Sequence, residues 1–332
     1  MEYDVIIIGL GPAGLSSAIY AARYYLKTLA VGGVVGGAMG TAHRIENYPG
    51  VPAGSGLDLA LKMQSQAKEF GAEIVTGEVM DVKKNEDGTF LVSTGKEGEE
   101  PYRAKAVIIA AGTQRRNLGV PGERELLGRG VSYCSTCDGA FFKGKKVAVV
   151  GGGGAATMSA IHLTEYADKI YLIYRGEALR GEPIWNERVT KHEKITVLYN
   201  ANVTEIGGEK NVESITLDRE ITSSDGVAES EGTNKLKVDG IFIEIGATPA
   251  AQMAVSLGLD FTPAGFVKVA EGGATNIPGV FAAGDITANS GNFWQVVTAA
   301  AEGAIAAKSA YEYLAQARAK KPRQEQEKVP QE

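Results

Sequence analysis

The most constraining feature of this chain is something it does twice. Tyr3 to Ile8 is a β-rich apolar run, Gly9-Leu10-Gly11-Pro12-Ala13-Gly14 follows at once, and Leu15 to Arg23 then carries apolar residues at helical spacing. Lys146 to Val150 is another short apolar strand, followed by Gly151-Gly152-Gly153-Gly154-Ala155-Ala156 and a helical stretch through about Tyr166. Each predicted helix leads into a second strand, Thr28 to Val31 in the first copy and Lys169 to Tyr174 in the second. Each copy also closes with an apolar strand that ends in Gly and Thr, Ala106 to Thr113 and Gly240 to Thr248. A lone G-x-G-x-x-G says little. Two of them, each opening a strand–turn–helix unit, predict an α/β chain of two Rossmann-like, three-layer nucleotide-binding domains. The plainer reading is two glycine-rich loops in an ordinary α/β protein.

Composition fits that architecture. The chain has 332 residues, enough for about two domains. Its 43 glycines are nearly twice an average share of about 7%. Hydrophobic residues make up 44% and charged residues 22%, which is a globular profile rather than a disordered one. A formal net charge of −6 argues against a general nucleic-acid or anionic-membrane binder, which needs a basic excess. The longest apolar runs, such as Val5 to Ile8 and Ala106 to Ala111, fall far short of the ~18 residues of a membrane span. Met1-Glu2-Tyr3-Asp4 is acidic and runs straight into a strand, so no secretory signal is expected. Only two cysteines are present, which excludes a secreted disulfide scaffold and makes a cytoplasmic protein the expectation. After the second copy, Asn276 to Asp285 reads as a return segment and an Ala-rich helix is predicted from about Gln295 to Leu314. Residues 219–235 read as a polar hairpin loop, and 316–332 as a disordered tail.

The glycines have a physical task. Backbone N–H groups at a helix N-terminus hold a pyrophosphate, and the helix dipole favours its charge. Gly9 permits the tight turn, Gly11 lets the backbone come close, and Gly14 lets helix and strand pack. Pro12 suits a first helical position, where its missing N–H is unneeded. The acid that usually holds the adenosine ribose at the end of the second strand is absent, since Gly32-Gly33 stand there. The second loop keeps the pattern as Gly151, Gly153 and Ala156, and its second strand ends in Tyr174-Arg175. An Arg at that place suits a 2′-phosphate, hence NADP; a solvated strand-end Arg is the other reading.

Three readings compete for Cys134-Ser135-Thr136-Cys137. A structural zinc needs about four ligands. None of His43, His162 and His192 stands at ligand spacing from the pair, so no metal is expected. A structural disulfide closing so short a loop would add little stability. A redox-active pair fits best beside two nucleotide loops. Asp138 follows Cys137 directly; it can donate the proton a thiolate leaving group needs, or it can cap a helix.

Together these residues resemble the low-molecular-weight thioredoxin reductase family of flavoprotein disulfide reductases. The resemblance runs from Tyr3 to about Leu314, and its most specific stretch is Gly130-Val131-Ser132-Tyr133-Cys134-Ser135-Thr136-Cys137-Asp138-Gly139. Glu46 to Gly50, Ala111 to Thr113, Val120 to Glu123, Val280 to Asp285 and Gln295 to Ala300 support it. It implies an FAD domain split over residues 1–116 and 249–315, with an inserted NAD(P)H domain, 117–248, carrying the dithiol. It implies FAD contacts from Gly9, Gly11, Pro12, Ala13, Gly14, Gly32, Gly33, Gly36, Gly37, Ala38, Asn47, Val79, Ala111, Gly112, Thr113, Gly284, Asp285, Gln295 and Val296. It implies NAD(P)H contacts from Gly151, Gly153, Gly154, Ala155, Ala156, Arg175 and Arg180. In that family the missing acid at Gly32 is tolerated. The implied activity passes electrons from NADPH, or NADH, through FAD to the Cys134–Cys137 disulfide and on to a thioredoxin-like protein. Cys137 would face the flavin, Cys134 would attack the substrate disulfide, and Asp138 would handle the proton. A homodimer is implied too, as is rotation of the inserted domain about hinges near 115–120 and 245–250.

Several positions depart from the family. Gly154 and Ala155 stand where a polar or acidic residue and then Ser or Thr are usual, and Met158 and Ser159 replace acids common on that helix. The arginine cluster for a 2′-phosphate reads Tyr174-Arg175-Gly176 with Arg180, one Arg short. Losing one such charged hydrogen bond weakens NADPH by about 1.5–3 kcal/mol. Ala38 replaces a usual Gln and Trp294 a usual Arg; Trp294 would shield the flavin or pack in the core. A donor other than nicotinamide, such as ferredoxin, stays open. So do two other functions for a C-x-x-C flavoprotein: a flavin-dependent dithiol oxidase and a redox-sensing binding protein.

Overall fold

The computed structural model describes residues 2–95, 100–227, 230, 232–291 and 293–319. The chain divides into two compact units, residues 1–113 with those from Pro249 on, and Gln114–Thr248. The first unit opens with β1 (Glu2–Ile8), almost wholly buried, as a strand covered on both faces must be. Gly11 caps α1 (Pro12–Arg23), with Pro12 in its first turn. Then come β2 (Thr28–Gly32), the single-turn α2 (Gly37–Gly40), and α3 (Gly56–Glu69), which starts where the Ser55 side chain accepts the Asp58 N–H. β3 (Glu73–Thr76), the antiparallel pair β4 (Val79–Lys84) and β5 (Phe90–Thr94), and β6 (Tyr102–Ile109) follow.

β7 (Thr113–Arg115) carries the chain into the second unit. There β8 (Val131–Ser132) precedes the one-turn α4 (Ser135–Asp138), and β9 (Lys146–Val150), α5 (Gly154–Leu163), β10 (Lys169–Tyr174), α6 (Pro183–Lys191) and β11 (Ile195–Tyr199) make a βαβαβ run. A three-stranded antiparallel sheet, β12 (Val203–Gly207), β13 (Ser214–Leu217) and β14 (Lys235–Lys237), comes before β15 (Gly240–Ile243). β16 (Ala247–Pro249) returns the chain and pairs with β7. β17 (Val280–Ala282) and α7 (Val296–Ala319) finish the first unit.

The first sheet is ordered β3-β2-β1-β6-β5-β4. β1 pairs in parallel with β2 and β6, in the register Ile8 opposite Val31 and Ile109. On its far side β6 is shared: Tyr102 to Ala104 pair antiparallel with β5, and Val107 to Ile109 pair parallel with β17. The second sheet, β11-β10-β9-β15-β8, is parallel throughout. In each, strand order reverses beside the strand that ends in a glycine loop, which is where open α/β sheets bind ligands. Among the described residues, no helix is long and apolar enough to cross a membrane.

Several expected bounds shift. The strands expected at Ala106–Thr113 and Gly240–Thr248 each break into two, because Gly112 (φ 65°) and Gly246 (φ 95°) take left-handed conformations that no ladder accepts. α5 stops at Leu163, since the amides of Thr164, Glu165 and Tyr166 bond three residues back and tighten the turn. The 219–235 loop is not simply polar. Ile221 and Val227 are buried, and Arg219 grips both oxygens of Asp225 at 2.8 Å. α7 runs to Ala319, so residues 316–319 of the expected disordered tail are helical. Alanine favours helix without apolar periodicity, and Arg318 suits the end of the helix dipole while pairing with Asp4 at 3.1 Å. Residues 320–332 of that expectation lie outside the described residues.

α7 buries Ala299, Ala300, Gly303, Ala306, Ala307 and Ala310 in one cluster with Ala13, Leu15 and Ala18 of α1. Small residues let the two helix backbones meet. A Cβ on Gly303 would lie 2.1 Å from the Ala13 carbonyl oxygen, and the buried Ser17 hydroxyl donates to the Gly303 carbonyl at 2.9 Å. Gly303→Ala is therefore expected to destabilise the protein by about 1–3 kcal/mol through overpacking, despite alanine's better helix propensity. A lowered urea midpoint at unchanged slope is the check.

Candidate functional site

Both glycine loops are built by the same contacts. Gly9 takes φ 116° and Gly151 φ 141°. A Cβ on Gly9 would lie 2.1 Å from the carbonyl oxygen of Ala110, and one on Gly151 would lie 2.2 Å from that of Glu244. The Gly9 amide donates to Val31 at 2.7 Å and the Gly151 amide to Ile173 at 2.9 Å. At the third motif position, a Cβ on Gly14 would strike the Gly9 carbonyl at 1.9 Å, and in the second loop Ala156 takes that place. The helices that follow have Gly11 and Gly153 as N-caps, no side-chain cap and no acid in the first turn. Their free amides and dipoles are thus left for an anion. There is room for one: the nearest atom to a Cβ on Gly11 is Gly36 O at 3.9 Å, and Gly153 and Gly154 face open space.

In the first unit more glycines gather around the cradle at the strand ends. Gly32 holds the place of the absent acid because a Cβ there would lie 2.8 Å from the Leu10 amide nitrogen. Gly33 and Gly112 face open space. The Gly36 amide donates to the Leu10 carbonyl at 2.7 Å, and Gly37 lies against Gly11, so the 33–37 loop, followed by Ala38, folds beside Pro12 and Ala13. Gly284 packs against Ala13, with Asp285 next to it at the end of β17. Asn47 donates to the Gln295 side chain at 2.9 Å, just before Val296 opens α7. Ala111 is half-buried at the end of β6, and Thr113 begins β7. Val79 is buried, its side chain in the core with Val82 and Phe90. Trp294 packs against Phe266, ring centroids 5.4 Å apart. Burial, with Glu302 nearby, pushes the Asp285 carboxyl up to about 6. Among the described residues, Asp285 accepts no hydrogen bond from protein, so it suits the hydroxyls of a polyol ligand. Open glycines over a bare helix terminus, with a half-buried acid next to Gly284, fit a flavin dinucleotide.

The dithiol belongs to the second unit. Cys134 and Cys137 are joined as a disulfide with Cα atoms 5.3 Å apart, Cys134 half-buried and Cys137 exposed. Cys134 is the N-cap of α4, and its sulfur accepts the Cys137 amide at 3.1 Å. Ser132 ties the turn together: its hydroxyl donates to Asp138 at 2.7 Å and accepts the Cys134 amide at 3.0 Å. Asp138 stands at the N-cap of the 3-10 turn Gly139–Phe142 but its side chain makes no capping bond; it is held beside the cysteines by a serine. Tyr133 donates to Glu123 at 2.5 Å, and burial followed by this bond pushes its phenol up.

At the second cradle, a Cβ on Gly152 would lie 2.3 Å from the Tyr174 ring, and one on Gly176 would lie 2.7 Å from it. Gly176 thus stands where an arginine is usual because the buried Tyr174 ring needs the space. The Arg180 amide donates to the Gly152 carbonyl at 2.7 Å, which folds its loop onto the glycine turn. Both Arg175 and Arg180 are exposed, and Ala155 lies in the first turn of α5.

Three contributing residues escaped sequence reasoning. Ser132 had a signal, as the polar residue two positions before the first cysteine. Glu302 is a lone acid in an alanine run, and it accepts the Gly284 amide at 2.7 Å. Glu244 is the one charge in Ile241-Phe242-Ile243-Glu244-Ile245.

Asp285 yields a signed prediction. Its proton is held more tightly in the folded state, so its stabilising contribution is complete below about pH 4 and is lost as pH rises through about 6. Ligand-free Asp285→Asn is expected to lose less stability than the parent between pH 4 and 7, by up to about 3 kcal/mol. Urea unfolding at the two pH values measures it.

Comparison with known proteins agrees with this geometry. Residues 3–303 match the family described as pyridine nucleotide-disulphide oxidoreductase. Thioredoxin reductase of Listeria innocua is 43% identical over 314 residues, 94% of this chain and 94% of that protein. The crystal structure of Lactococcus lactis thioredoxin reductase matches with a TM-score of 0.86 at 36% identity, over 95% of this chain and 99% of that one. That of T. acidophilum thioredoxin reductase matches with a TM-score of 0.84 at 35% identity, over 94% and 98%. A chain so alike along nearly its whole length, with two glycine cradles and a C-x-x-C disulfide, belongs to the pyridine nucleotide-disulphide oxidoreductases and, within them, to the low-molecular-weight thioredoxin reductases.

Proposed function

We propose that this protein is a thioredoxin-disulfide reductase that takes electrons from NADPH and delivers them, by way of FAD and the Cys134–Cys137 pair, to a thioredoxin-like protein. The observation that carries the reading is a disulfide at the mouth of a one-turn helix, in a unit whose own glycine cradle leaves a helix N-terminus free for a dinucleotide. Gly9, Gly11 and Gly14 with α1 would hold the FAD pyrophosphate, Asp285 the ribityl region, and Asn47 with Gln295 the ring edge. Gly151, Gly153 and Gly154 would hold the NADPH pyrophosphate, and Arg175 and Arg180 its 2′-phosphate. When bound, the flavin relays an electron pair from the nicotinamide to the disulfide. Two electrons and two protons open the Cys134–Cys137 bond to two thiols. Cys134, as thiolate, attacks the partner disulfide, and Cys137 closes on the mixed disulfide to release the reduced partner. Asp138, held by Ser132, delivers the proton that the leaving sulfur needs.

The intact second cradle favours a nicotinamide donor over ferredoxin, and the thioredoxin reductase relatives favour reduction over oxidase or sensor roles. A cytoplasmic homodimer completes the reading.

Anaerobic NADPH is expected to bleach the flavin absorbance of the purified protein; a flavin left fully oxidised by both NADPH and NADH overturns the proposal. Cys137→Ser is expected to abolish turnover with thioredoxin while leaving that bleaching intact. Arg180→Ala is expected to weaken NADPH at least tenfold, as loss of a charged hydrogen bond predicts, and to leave NADH nearly unchanged. Titration with the two nucleotides separates these outcomes.

A further inference from the structure

A buried chain of hydrogen bonds ends on the dithiol turn and plays no part in the chemistry described so far. Ser135, the first residue of α4, is buried, and its hydroxyl donates to Ser159 of α5 at 3.0 Å. Ser159, also buried, donates to Glu244 Oε1 at 2.9 Å. The other oxygen, Oε2, accepts from Arg115 Nη1 at 3.0 Å. The Glu244 side chain is only 9% exposed. Every member lies within the second unit. Glu244 has a second role in the same place, since its carbonyl oxygen is the one that fixes Gly151.

The direction of the chain matters. Each hydroxyl has one proton, and each proton points towards the carboxylate. A buried hydroxyl that lost its acceptor would turn or go unsatisfied, at a cost comparable to a lost hydrogen bond. Ser135 is therefore held towards α5, and through it the rotation of a helix only one turn long. That helix is also held by the disulfide, by Ser132 through Asp138 and the Cys134 amide, and by the Cys137 amide on the Cys134 sulfur. When the disulfide opens, its covalent tie is gone and the serine relay persists.

We propose that Glu244, acting through Ser159 and Ser135, is a positioning residue for the redox pair: it keeps the reduced cysteines close enough to reclose. Two thiols held together reclose with a high effective concentration, and slackening the turn lowers it. Loss of the relay also frees the Ser135 hydroxyl, next in sequence to Cys134, as a donor, and a Cys134 thiolate that accepts it favours the open form. Both effects point the same way. The proposal rests on the reading of Cys134–Cys137 as a redox couple.

The test equilibrates the purified flavoprotein in glutathione buffers. Two glutathione thiols supply two electrons and two protons, the Cys134–Cys137 bond breaks, and one glutathione disulfide bond forms. Acid quench, alkylation and mass measurement then count open and closed pairs, since the chain has no other cysteine. Ser159→Ala is expected to shift the equilibrium three- to tenfold towards the dithiol. Glu244→Gln, which keeps an acceptor but loses the charge, is expected to shift it less. Adding Ser159→Ala to Ser135→Ala is expected to change nothing further. The midpoint of Cys alkylation against pH is expected to fall in Ser159→Ala. If Ser159→Ala and Glu244→Gln, both shown folded by their melting curves, match the parent in equilibrium and in alkylation midpoint, the positioning role is wrong. If the parent pair itself never opens in the glutathione series, the redox reading fails instead.

Discussion

The contact on which the rest depends is a carbonyl oxygen lying where a side chain would begin. In each unit the strand next to the glycine strand ends by pressing an oxygen against its neighbour, Ala110 on Gly9 and Glu244 on Gly151, at hypothetical Cβ distances of 2.1 and 2.2 Å. Any larger residue would push the two strand ends apart. With them would go the spacing of the strand ends and the angle at which the next helix leaves. The parallel register, the uncapped helix amides and the room for a phosphate all follow from that one close approach.

This explains why so much of the architecture could be read from residues alone. A glycine forced by backbone contact is a local signal, and so is a buried parallel strand, which must be apolar along its whole length. Lys146–Val150 and Lys169–Tyr174 are found where the apolar runs place them. What could not be read is of another kind. The bond from Asn47 to Gln295 spans 248 residues, and the Ser135–Ser159–Glu244 relay joins a turn, a helix and a strand end. Neither leaves a periodic trace. The end of α7 was missed for the opposite reason, since an alanine-rich helix with little apolar pattern looks like solvated chain.

The departures from the family pattern also become coupled facts rather than a list of losses. Tyr174, Gly152 and Gly176 form one packing solution, in which an aromatic ring occupies space that the two glycines vacate. The missing arginine is the consequence of the ring. Likewise Ser159, which replaces an acid on α5, reaches the acid of Glu244, so the carboxylate now arrives from a strand end instead of the helix.

The pairing of β7 with β16 has a consequence for how such a molecule can change over time. The Arg116 amide bonds the Gly246 carbonyl at 3.0 Å, and the Ala250 amide bonds that of Gly112 at 3.0 Å. Entry and exit of the inserted segment therefore run side by side as a two-stranded ribbon. A gene can exchange what lies beyond such a ribbon, by splicing a different body onto the same pair of stalks, without reopening the host fold. Either segment is then free to change in sequence without the other.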